Sequence, residues 1–231
     1  MKNLWNKELK LAVPPMVWVF SLFGLMIFIP GYPNFIFLIY VFVSFIYLFQ
    51  GGKENNDLYY SIFQPIRKRD IIKARFLSVL AFEMLSIVVS AVVGIITYQM
   101  GYGPIGKQIS NNGQIGVGIP PCPFFFGSVF LSFAVFNSLF FSLHYRKNFP
   151  MIVPMLTGSL VGILPSVAAE ILASLFATPL ESISHQIAVI APDTMLTQLL
   201  MLFLSMGVYA GSFVLSFKGA AKRFEAMDLL N

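Results

Sequence analysis

Six stretches of nearly unbroken apolar residues, at about 13–29, 35–50, 75–98, 124–143, 150–177 and 195–217, dominate this chain. They leave few folds open. About 20 apolar residues wound as a helix cross the hydrocarbon of a bilayer, where no water meets an unpaired N–H or C=O. The stretches are continuous, not alternating, so they predict helices rather than barrel strands. Charged residues make up only 11% of the chain, whereas soluble domains carry roughly 25%. The expected fold is all-α and integral to a membrane, with six transmembrane helices forming one domain over 1–231.

The basic residues set the orientation. Every Lys and Arg except Lys107 falls at the N-terminus, in the second loop, in the fourth loop or at the C-terminus. That asymmetry is the positive-inside pattern, and it predicts cytoplasmic N- and C-termini. The net charge of +5 then reports orientation, with some attraction to anionic headgroups, and says little of nucleic acid. The first stretch ends in "FIPGYPN", which lacks the small-x-small site of a cleaved signal peptide. Cys122 is the one cysteine, so it has no internal disulfide partner and reads as a spectator thiol.

Residues 1–12 read as an interfacial helix on the inner leaflet. Leu4, Trp5, Leu9 and Ala12 share its apolar face, with Lys2, Lys7, Glu8 and Lys10 mostly elsewhere. Pro14 and Pro15 suit the first turn of the span that follows. The outer loop 99–123 is rich in Gly, Asn and Pro and reads as irregular, with Asn112-Gly113 as a hairpin turn. Residues 178–194 hold an apolar centre too short to cross, which predicts a re-entrant outer segment between spans five and six. Residues 218–231 form a basic cytoplasmic tail.

Several motifs tempt and fail. "GYGPIGKQ" at 101–108 imitates phosphate-binding loops, but Gln108 stands where Ser or Thr must follow the lysine. It also lacks the preceding strand and faces outward. His144 and His185 fall on opposite sides of the membrane, so no paired metal ligands and no catalytic constellation are expected. Two carboxyls do lie within spans, Glu83 and Glu170. An ionisable group there points by default to a substrate path; the blander account lets Glu83 reach inner-leaflet water or a nearby cation, and puts Glu170 in the outer interface. Asn137 lies opposite a face carrying Ser128, Ser132 and Ser142, and is a third candidate for the path. Gly158-x-x-x-Gly162 and Gly207-x-x-x-Gly211 mark faces for close helix packing, within the chain or against a second copy. Pro154 and Pro165 predict a bend in the fifth span.

The second loop, 51–74, is the informative one. In "ENNDLYYSIFQP", Leu58, Tyr59, Ile62 and Phe63 recur at helical spacing, with Asp57, Tyr60, Ser61 and Gln64 on the other side. Asn55 or Asn56 suits the cap, Asp57 the helix dipole, and Pro65 the stop. Arg67, Lys68 and Arg69 follow, with Asp70 as the cap of the third span. Such a helix rests on the leaflet or offers an apolar ridge to a partner's groove.

"NDLYYSIFQPIRKRDIIKARFL" resembles the segment between spans two and three of ABC-transporter permeases of the type-2 family. Pro65, Ile66, Lys68, Asp70, Ile71, Ile72 and Arg75 fit that pattern; Gln64 stands where Leu is common, and Arg67 where Ser or Thr is common. The six-span plan with both ends inside agrees over nearly the whole chain. The resemblance implies a multi-pass permease of the bacterial plasma membrane without its own nucleotide site. A second copy or a similar chain would complete it, and two copies of a cytoplasmic ATPase would hold the ATP and Mg. The coupling helix, Asn56 to Pro65, would seat in that ATPase, with Arg67, Lys68, Arg69 and Asp70 at its rim. The family mostly exports hydrophobic peptides, antibiotics and lipids. A vitamin-type importer subunit or an intramembrane enzyme are the alternatives.

Overall fold

A computed structural model describes residues 5, 7–29, 33–54, 66–99, 122–146, 151–177 and 195–226. Among the described residues the chain is helical, with no strand. A π-helical turn, Glu8–Ala12, leads in. Then come α1 (Pro15–Ser21), which continues as a 3-10 helix over Leu22–Phe28, α2 (Ile36–Glu54), α3 (Lys68–Gln99), α4 (Pro123–His144), α5 (Ile152–Gly162), α6 (Leu164–Ala177) and α7 (Met195–Ala226). Five of the resulting segments, with α5 and α6 counted as one, are long and apolar enough to cross a membrane. The chain is thus a multi-pass membrane protein by length and composition.

The first expected span, 13–29, is the exception. Its apolar helix covers only Pro15–Phe28, and Val13 and Pro14 are extended. Pro15 takes the first helical position, where its missing N–H costs nothing. The 3-10 half rises about 2.0 Å per residue against 1.5 Å in an α-helix, so the 14 residues reach about 24 Å.

Several boundaries move. α2 runs through Gly51–Glu54, which the sequence assigns to the loop. α3 begins at Lys68 rather than at 75, so Lys68, Arg69 and Asp70 belong to its first turn and not to the loop. Asp70 is therefore not a cap; its backbone N–H donates to the Arg67 carbonyl at 2.8 Å, and its charge faces the helix's positive end. Two residues of strong helical propensity at each edge, Lys53 and Glu54, Lys68 and Arg69, extend the helices beyond the apolar stretch into the polar interface. α7 likewise runs on to Ala226 through the expected tail. The bend in the fifth span falls at Ile163, two residues before Pro165, whose ring clashes with the carbonyl four residues back. Pro154 lies in the first turn of α5 and breaks nothing.

α4 is the centre of the bundle. α5, α6 and α7 pack on it directly, while α1 lies on α2 and α3. The backbones of α2 and α4 stay apart, and phenylalanines fill the gap. Phe42 stacks on Phe136 at 4.5 Å, and Phe49 meets Phe140 edge-on at 4.7 Å. Phe76 of α3 stacks on Phe141 at 3.8 Å. Lipid tails are as apolar as these rings, so the gain is in shape and ring geometry rather than in removal from water.

Candidate functional site

Polar side chains gather at three levels of this apolar bundle. The deepest is Glu83, halfway along α3 and fully buried. One carboxyl oxygen accepts from the Asn137 side-chain amide of α4 at 2.9 Å. The other accepts from the Tyr209 hydroxyl of α7 at 2.5 Å. Asn137 is 0% and Tyr209 6% exposed. The sequence candidates Glu83 and Asn137 are thus brought together. Glu83 does not reach inner-leaflet water, and the cation of the bland account is not among its recorded partners. The amide oxygen of Asn137 is buried without a hydrogen-bond partner.

Tyr209 is the member that sequence reasoning missed. Tyrosines of membrane helices favour the interfaces, and this one sits mid-helix between Gly207 and Gly211, which was the available signal.

The second level lies where the end of α2, the start of α3 and the N-terminal turn come together. Glu8 is 0% exposed, so it does not sit on an exposed face of the N-terminal segment as Lys10 does. Its carboxylate meets Arg75 Nε of α3 at 3.2 Å. Arg75 also donates to the Leu48 carbonyl of α2 at 3.4 Å and lies over the Phe49 ring at 5.6 Å. Gly52 makes this approach feasible: a Cβ there would stand 2.7 and 2.8 Å from the two terminal guanidinium nitrogens. Tyr145, just past α4, completes the group. Burial pushes its phenol well above the ordinary range; Arg75 opposes that and Glu8 adds to it.

The third level is Glu170 of α6, apart from the other path candidates. Its Oε1 accepts from the Phe35 backbone N–H at 3.1 Å, just ahead of α2. A helix start leaves such donors without intrahelical partners, and this carboxyl supplies one from another helix. Glu170→Ala should lower stability by about 1 kcal/mol, read from thermal unfolding in detergent.

Other candidates separate. Gly158 and Gly162 face α4 within the chain, their Cβ positions 3.2 and 3.0 Å from Phe136. A Cβ added at Gly207 or Gly211 would meet no atom of the described residues within 4 Å beyond its own stretch of helix. Ser128 and Ser132 of α4 share hydrogen bonds with Ser166 of α6, at 3.3 and 2.8 Å, which marks helix packing. Burial pushes the Cys122 thiol up, which leaves little reactive thiolate. Arg69 lies over Phe217 at 5.7 Å. Asn56, Asp57, Leu58, Tyr59, Ile62, Phe63 and Pro65 of the expected coupling helix, and the re-entrant segment 178–194, lie outside the described residues. Among the described residues no group of three His, Cys, Asp or Glu is placed to hold a metal.

The chain matches no family model, no curated protein and no solved structure in the comparisons made with each.

Proposed function

We propose that this chain is the membrane permease subunit of an ABC exporter, driven by a separate cytoplasmic ATPase. The observation that carries the proposal is the amphipathic sequence 55–67 between two long apolar helices, with the basic residues Arg67, Lys68 and Arg69 at its end and its resemblance to a type-2 coupling helix. In this reading α1 is a sixth crossing, both termini are cytoplasmic, and Leu58, Tyr59, Ile62 and Phe63 seat in the ATPase. A second copy or a similar chain pairs with this one. The open face around Gly207 and Gly211 is compatible with such a neighbour. The cargo is hydrophobic or amphipathic, and Glu83 and Asn137 supply the polar point on its route.

The test is co-purification of the tagged chain with a cytoplasmic ABC ATPase from its own cells. Leu58→Asp plus Phe63→Asp places two charges on the apolar ridge, and ATPase recovery should fall at least about tenfold, the effect of roughly 1.4 kcal/mol. Unchanged recovery ends the coupling-helix assignment.

The buried Glu83–Tyr209 contact favours one second reading, an intramembrane enzyme. Turnover by the isolated chain that disappears in Glu83→Gln would displace the exporter reading.

A further inference from the structure

The Arg75 group joins three segments that the sequence separates. α2 ends at Glu54 and α3 begins at Lys68, so these helices are the two stems that flank 55–67 in the sequence. Arg75 lies seven residues into α3, about 10 Å from its start at 1.5 Å per residue. From there it reaches sideways to α2, where Gly52 leaves room for it. The Leu48 carbonyl accepts one of its N–H groups, and the Phe49 ring takes its face. Glu8 then meets the guanidinium from the N-terminal turn. The paired side chains are 9% and 1% exposed, so water screens them little.

We propose that the Glu8–Arg75 pair is a clasp that fixes the N-terminal turn, the end of α2 and the start of α3 as one unit, with Arg75 as the positioning residue for the two helix ends. Three features support a specific role over generic packing. The guanidinium's fork is shared between a carboxylate and a carbonyl, which a lysine's point charge does not reproduce. A residue without a side chain stands where the guanidinium rests. The three parts come from separate segments, so the contact serves the relation between them and not the winding of one helix. The proposal deepens the exporter reading, since a push on residues 55–65 would then move the N-terminal turn with the stems. The clasp itself is a property of this chain alone.

Spin labels test it on the full chain in lipid nanodiscs, in a Cys122→Ser background with no ATPase present. One label pair, Lys10→Cys with Lys53→Cys, reports the turn against α2. A second, Lys53→Cys with Lys73→Cys, reports the two stems. A third, Val92→Cys with Leu200→Cys, reports α3 against α7 away from the clasp. Glu8→Gln should broaden the first distance distribution about twofold, the sign of local opening, and Arg75→Gln should broaden the first and second alike. Gly52→Ala leaves both charges in place yet displaces the guanidinium, and should act as Arg75→Gln does. The third pair should not change in any variant. The clasp is overturned if the second pair is insensitive to Arg75→Gln and Gly52→Ala. It is equally overturned if the third pair broadens with the others, because the group then supports the whole bundle. With no ATPase in the sample, either result is independent of the co-purification test, and the two can fail separately.

Discussion

Asn137→Leu and Tyr209→Phe are each expected to cost about 2 kcal/mol, while the triple variant Glu83→Met/Asn137→Leu/Tyr209→Phe returns to within about 1 kcal/mol of the parent. Each single change strips a donor from a fully buried carboxyl and leaves an acceptor in a medium that offers nothing in exchange. The triple change removes the carboxyl together with both donors and leaves three apolar side chains of similar volume. Groups that share one network do not add, so the departure from additivity is itself the signature. Unfolding in detergent micelles reads all three values. If the losses simply accumulate in the triple variant, the three residues do not act as a unit. If stability returns while the proposed export is lost, the cluster is kept for work and not for holding the fold.

Gly162→Leu is expected to be among the most damaging single changes, at about 3 kcal/mol, whereas Gly207→Leu in the isolated chain stays within about 0.5 kcal/mol. The first position has the Phe136 Cβ at 3.0 Å and the Phe42 ring at 3.3 Å from where a side chain would begin. A leucine there must prise α5 from α4 and disturb the Phe42–Phe136 stack as well. At Gly207 an added Cβ meets nothing among the described residues within 4 Å. Thermal unfolding separates the two, and cross-linking adds a second outcome. If a second copy packs on the Gly207 face, Gly207→Leu should lower the dimer yield without touching monomer stability.

Much of the architecture was legible because a bilayer imposes one strong rule, that backbone polar groups pair within the helix. Apolar length alone therefore located α2 to α7. It did not locate their ends. Gly51–Glu54, the turn at Lys68 and the last nine residues of α7 are polar or mixed, and hydropathy falls off before the helix does. It also overstated the first helix, where seven residues wind as 3-10. Glu83 and Asn137 were legible one at a time, because polar groups stand out in apolar stretches. Their meeting was not, since 54 residues separate them and helical spacing carries no information across helices. Glu8 was harder still. Among three lysines in a polar segment it looked like a surface residue, and only Arg75 in a different helix makes it a buried one.

The placement of Glu83 bears on how the chain is made. Both donors to its carboxyl are encoded downstream, 54 and 126 residues later. When α3 leaves the ribosome, neither is yet in the membrane, and Tyr209 arrives only with α7. Until then a carboxyl at that depth lacks both donors, which is costly in hydrocarbon and favours a late final seating of α3. A chain truncated before α7 should therefore be recognised and degraded, even though all its earlier membrane segments have been synthesised.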